Sequence, residues 1–257
     1  MKPLSYASYL KVDELLQLQK PASEEHDEML FIIIHQVYEL WFKEILHELD
    51  YVQKAFAEHN TARVLQTLKR VLAILKTMTS QIDVLETMTP TEFLTFRHRL
   101  ESSSGFQSYQ FRELELLLGN KRYTMVTHFP EEMRGRLEKR YQEPSLWDAF
   151  LSYLAQIGYA VPETVLKRDV TQPYESAPEV HTILVDIYRN DLNTTQVCER
   201  LIDLDEGLQE WRYRHVKMVE RTIGTKQGTG GSAGVEYLKS TLFKSFFPDL
   251  WAIRTEL

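Results

Sequence analysis

Apolar residues recur every three or four positions along most of this 257-residue chain, and strict alternation is scarce. The spacing predicts a short helix over Asp13–Gln19, a long one over Glu24–His59, and another over Thr61–Glu86 with Thr61 as its N-cap. A further helix starts at Thr91 behind Thr89-Pro90 and runs to about Leu100. Ser102–Gly105 breaks it, and helix resumes over Gln107–Leu118. Pro130–Ile157 reads as two helical pieces split near Pro144. Val161–Ala177 reads as a linker or loop ahead of a helix over His181–Tyr188. Leu192–Thr222 is long and helical, and Glu236–Leu242 and the tail FFPDLWAIR close the pattern. No repeats interrupt it. The expectation is an all-α helical bundle, a single domain over 1–257, with a smaller helical subdomain at roughly 125–190.

Composition narrows the class. A net charge of −7 argues against a nucleic-acid surface, and no apolar run reaches membrane-spanning length. The N-terminal MKPLSYASYL lacks the apolar core of a signal peptide. A single cysteine, Cys198, rules out an intrachain disulfide framework and cysteine-based metal clusters. Both facts fit a reducing cytoplasm. Histidines remain as candidate metal or acid–base groups.

Three segments can carry chemistry. In HDEMLFIIIHQVYELWFKEILHELD, Phe31, His35, Tyr38 and Phe42 share one helical stripe. Such a histidine is more often a satisfied core residue; the alternative is a pocket imidazole facing a flat apolar ligand. Glu44 and His47 form half of a di-iron motif whose second half is missing. In FLTFRHRLESSSGFQSYQFRELE, Phe93, Arg97, Leu100 and Ser104 fall on one stripe. An arginine there needs an anion, either an internal carboxylate or a ligand's. In WRYRHVKMVERTIG, Trp211, His215, Met218 and Thr222 are aligned, and the glycine-rich TKQGTGGSAG follows at once. A lone neutral imidazole on an apolar stripe is one way to hold a heme iron, although such a stripe is more often plain core. The loop contains Gly228-x-Gly230-x-x-Ala233, but it follows a helix and not a strand, which discounts a dinucleotide site. The remaining histidines have charged or polar neighbours.

Taken together, these segments, with SYASYLKVDELLQLQ ahead of them and GVEYL behind, resemble the tryptophan 2,3-dioxygenases along nearly the whole chain. The resemblance implies heme b, ferrous when active, with L-tryptophan and O2 as substrates and N-formyl-L-kynurenine as product, the first step of tryptophan catabolism through kynurenine. It implies that His215 is the ligand to heme iron, with Trp211, Met218 and Ser104 against the cofactor. His35 is implied to hydrogen-bond the indole N–H, a positioning role and not that of an essential base. Arg97 is implied to clamp the substrate carboxylate, with Thr229 and Gly228 beside the carboxylate and ammonium groups. Phe31, Phe93 and Leu100 are implied to wall the indole, with Ser104 at the end of the pocket. Tyr6 and Tyr9 match N-terminal tyrosines that reach a neighbouring subunit's site, which implies a homotetramer.

Some positions depart from the family's pattern. Phe93 stands where some members have tyrosine. Val37 stands where threonine or alanine is common, and Ala233 where serine is. Gln227 replaces a usual basic residue. These departures leave the preference among indoles open. Two other readings keep the fold: a heme monooxygenase of a substituted indole, and a non-catalytic heme or tryptophan sensor.

Overall fold

The computed structural model describes residues 3–228 and 234–257. It is all-α, with no strand among the described residues. The helices are α1 (Tyr6–Leu10), α2 (Val12–Leu15), α3 (His26–Ala57), α4 (Thr61–Leu85), α5 (Pro90–Phe96), α6 (Tyr109–Leu117), α7 (Tyr123–Thr127), α8 (Glu131–Gln142), α9 (Leu146–Gln156), α10 (Glu163–Leu166), α11 (Pro178–Asn190), α12 (Leu192–Ile223), α13 (Val235–Lys239) and α14 (Pro248–Ala252). Short 3₁₀ turns lie at Arg97–Leu100, Gly105–Gln107 and Ile253–Thr255.

Three long helices make the frame. On α4, Val64, Leu68, Val71, Leu75, Met78, Ile82 and Leu85 are buried, alternating steps of four and three. That is the seam of a helix pressed between neighbours. The same steps on α12 run through Val197, Leu201, Leu204, Leu208, Trp211, His215 and Met218. On α3 they run through Phe31, His35, Tyr38, Phe42, Ile45, Leu49, Val52 and Phe56. Both α3 and α12 pack on α4. The Tyr38 hydroxyl donates to the Met78 carbonyl at 2.8 Å, while Arg70 meets Glu48 at 2.6 Å, so α3 and α4 run in opposite directions. Arg214–Asp83 at 2.6 Å and Arg221–Glu86 at 3.3 Å show α12 running the same way as α4. Each of the two singled-out histidines therefore occupies a seam position on its helix.

The boundaries differ from the sequence reading where capping chemistry decides. The N-terminal helix is not Asp13–Gln19. Ser5 and Ser8 form a capping box that starts α1 early, and Lys11, in left-handed conformation, separates it from α2. Asn60, not Thr61, caps α4, its side chain accepting from Arg63 N at 3.1 Å. The Thr61 hydroxyl meets the Tyr153 hydroxyl instead, at 2.7 Å. Helix α5 begins at Pro90 inside a Thr89–Glu92 capping box and stops at Phe96, so Arg97–Leu100 is a 3₁₀ turn and not α-helix. The split near Pro144 is where it was expected, between α8 and α9. Residues 161–177 are mostly loop, with one turn at α10. Helix α7 was not foreseen.

Two buried carboxylates fasten the last segment to the frame. Asp205 on α12 accepts from the Phe246 and Phe247 N–H groups at 2.8 and 3.1 Å and from Trp251 Nε1 at 3.0 Å. Asp249 accepts from the Tyr174 hydroxyl at 2.6 Å, Ala177 N at 3.0 Å and His181 Nε2 at 2.9 Å. Residues of α9 and α11 share the main core, whereas Leu116, Val126, Phe129 and Leu137 form a small cluster of their own.

Candidate functional site

The seam does not close at one end of the frame. There Ile82 and Leu85 of α4, the Phe31–Phe42 stretch of α3 and the Trp211–Ile223 stretch of α12 surround a cavity. The turns around 97–106, and Gly228, Gly234 and Tyr237, complete its wall.

His35 Nδ1 lies 2.7 Å from the Phe31 carbonyl one turn back. A carbonyl only accepts, so Nδ1 carries the proton and the neutral ring keeps Nε2 as a free acceptor. Burial lowers the His35 pKa, against the Phe31 bond and the charge of Glu39. The Phe31 ring sits 4.1 Å from the imidazole, and Phe93 is 5.7 Å from Phe31.

His215 stands apart. Neither ring nitrogen has a hydrogen-bond partner among the described residues, and burial, reinforced by nearby His35, pushes its pKa down to about 4. It is a neutral imidazole at ordinary pH. The Trp211 indole stacks on it at 5.6 Å and 18°, and is itself wedged by Tyr38, Phe42 and Phe111. Trp211 Nε1 is buried without an acceptor.

Arg97, half-buried, donates from Nη2 to the Gln227 carbonyl at 2.6 Å and has no carboxylate partner among the described residues. The internal Asp or Glu that the sequence left open is therefore not what holds it. Ser104 caps the 3₁₀ turn at 105–107, its hydroxyl accepting from Phe106 N at 3.3 Å. The cavity wall thus gathers Phe31, His35, Phe93, Arg97, Leu100, Ser104, Trp211, His215, Met218 and Gly228. Thr229 lies outside the described residues. Tyr6 and Tyr9 are 78% and 71% exposed and do not line the cavity of their own chain. The wall also holds Glu39, Phe106, Arg112, Glu115, Arg212 and Tyr237, which the sequence reading passed over.

Gly234 closes the neck of the glycine-rich loop. Its φ is +60°, and a Cβ there would stand 2.8 Å from the Lys226 carbonyl oxygen. Gly234→Ala is expected to displace the loop, costing about 1–3 kcal/mol of backbone strain before the clash is counted. Ligand affinity at the cavity should fall; an unchanged affinity and melting temperature would show that the neck adapts.

The donor set fits a heme. No group of three or more His, Cys, Asp or Glu residues able to hold a metal exists among the described residues. A bare ion would therefore not find three such donors together among the described residues. A metal that brings its own macrocyclic donors needs just one protein ligand on an apolar wall, and the neutral His215 imidazole is of the right chemistry to be it.

Comparison with known proteins follows the same line. The family model described as tryptophan 2,3-dioxygenase matches residues 1–144 and 181–257. The chain is 62% identical to a tryptophan 2,3-dioxygenase of Herpetosiphon aurantiacus over 99% of this chain and 98% of that one. It is 55% identical to that of an Anaeromyxobacter strain, covering 99% and 96%. It is 46% identical to that of Caulobacter vibrioides, covering 99% and 98%.

Proposed function

This chain belongs to the tryptophan 2,3-dioxygenase family, and from that premise we propose how its cavity serves the reaction. It is a heme-dependent dioxygenase that converts L-tryptophan and O2 to N-formyl-L-kynurenine, opening the kynurenine route of tryptophan catabolism. When bound, the heme supplies O2 activation. Both oxygen atoms enter the indole, the C2–C3 bond breaks, and no proton is gained or lost overall.

The residues supply placement. His215 would hold the iron through its neutral imidazole. His35 Nε2 accepts the indole N–H and fixes the ring's position. The indole N–H is a very weak acid, so this bond orients and does not deprotonate. Arg97 spends one N–H on Gln227 and keeps the rest of its fork for the substrate carboxylate. Gly228, on the same wall, and Thr229, next to it in sequence, would complete the grip on the amino-acid group. Phe31, Phe93 and Leu100 flank the indole and exclude water, and Ser104, Trp211 and Met218 border the cofactor. Phe93 offers no hydroxyl, so that wall recognises shape alone. The observation that carries the reading is one cavity holding a partnerless neutral His215, an acceptor His35 and a carboxylate-free Arg97. Its test is the mass of the product from L-tryptophan on heme-loaded protein. A gain of two oxygen atoms supports it; a gain of one, or heme without turnover, overturns it.

We propose further that the protein is a cytoplasmic homotetramer in which Tyr6 and Tyr9 complete a neighbour's cavity. No helix of the described chain is long and apolar enough to cross a membrane. Leu4, Tyr6, Tyr9, Leu16 and Leu18 are all at least 60% exposed, an apolar surface that a second copy can cover. Replacing Tyr6 and Tyr9 together by alanine is expected to lower kcat/KM while heme content stays unchanged. A monomer in light scattering, or full activity of the double variant, would refute the arrangement.

A further inference from the structure

One stretch of the cavity wall carries charge that tryptophan placement does not use. Arg112 on α6 and Arg212 on α12 are buried to 8% side-chain exposure and share Glu115 between them. Arg112 Nη1 donates to one carboxylate oxygen, and Arg212 Nη2 donates to the other at 3.2 Å. The Arg112 guanidinium lies 4.7 Å from the Phe106 ring centre and 5.2 Å from that of Phe111, which pins its plane. Its Nε is buried without an acceptor among the described residues. Two buried guanidiniums thus share one carboxylate; farther out, Arg122 and Asp205 act on Arg212 with opposite sign. Asp205 cannot turn toward the cavity, because three N–H groups of the 246–251 segment hold one of its oxygens and Gln209 the other. An unpaired buried N–H where two guanidiniums share one carboxylate is costly unless a ligand brings the acceptor.

We propose that Arg112, backed by Glu115 and Arg212, is a subsite for one carboxylate of the bound porphyrin, a heme propionate. The proposal rests on the heme reading above. Arg212 precedes His215 by three residues, so the two lie on the same face of α12 and on the wall of the same cavity, within reach of one macrocycle. A carboxylate there accepts from the Arg112 guanidinium and gives the two arginines a second anion beside Glu115. Glu115 sets the capacity: with it in place the cluster takes one anion and not two.

The test is a titration of the full-length apoprotein with hemin and with hemin dimethyl ester, followed at the heme absorption band. The diacid should bind about ten- to a hundredfold more tightly, the size of one or two charge-assisted hydrogen bonds. In Arg112→Gln the preference should shrink toward parity because the diacid weakens, and Arg112→Lys should recover part of it. Metal-free protoporphyrin and its diester, read by fluorescence, should show the same preference without an iron bond. An undiminished preference in folded Arg112→Gln overturns the proposal. Should that variant not fold, equal affinities of diacid and diester for the unaltered protein overturn it equally. A carboxylate can also come from the amino acid: a tryptophan affinity that falls in Arg112→Gln while the porphyrin preference persists assigns the subsite to substrate and defeats the proposal. Failure of the heme reading looks different, with neither hemin nor its diester forming a one-to-one complex with the protein in any variant.

Discussion

His215→Ala is expected to leave the purified protein without stoichiometric heme and without dioxygenase activity. Among the described residues neither His215 nitrogen has a hydrogen-bond partner, and its lowered pKa keeps a lone pair ready at neutral pH. Changes to groups merely behind a metal ligand cost about 10- to 100-fold in affinity, so losing the proposed ligand itself should cost more. The fold itself should survive. The alanine leaves a void beside Trp211, in a wall that already borders a cavity, and circular dichroism should stay helical. Added free imidazole should fill the void and restore the heme absorption band in part. Normal heme loading of His215→Ala would remove the ligand assignment and everything built on it.

Arg97→Leu is expected to lower kcat/KM for L-tryptophan by about 3 kcal/mol, roughly a hundredfold, as for one partner lost from a desolvated charge pair. The loss should be selective. Tryptamine, which lacks the carboxylate, should be a poor substrate of the unaltered protein and should lose little more in the variant. Arg97→Lys should not restore the rate, because an ammonium cannot reproduce the fork while also holding Gln227. If both substrates lose equally, Arg97 acts by anchoring the loop through the Gln227 carbonyl and not by holding substrate.

The frame was legible because its signal is long. The alternating steps of four and three on α3, α4 and α12 span each helix, so register errors at the ends matter little. The same rows carried Phe31, His35, Trp211, His215 and Met218, and the structure brings all five to one cavity. Periodicity alone did not separate a seam histidine from a pocket histidine, since both occupy the same slot. The difference is whether the opposite side chain reaches across, which is a three-dimensional fact. Caps were misread where two candidates adjoin: Asn60 reaches the Arg63 N–H and Thr61 is left to Tyr153. Arg112, Glu115 and Arg212 stayed hidden for another reason. An arginine three residues before a glutamate on a helix looks like an exposed ion pair, and Arg212 comes from 97 residues away. Their burial appears only once α6 and α12 meet the same cavity.

The fastening of Asp205 bears on how the protein is made. Its carboxylate is buried completely, and three of its donors lie in residues that leave the ribosome about 41 to 46 residues later. Until they arrive, the helix that presents His215 carries a buried carboxylate with one oxygen held by Gln209 and the other unsatisfied, a state that keeps α12 from settling. Cofactor loading should therefore follow synthesis of the 246–251 segment, and a nascent chain halted before it should neither resist protease nor retain heme.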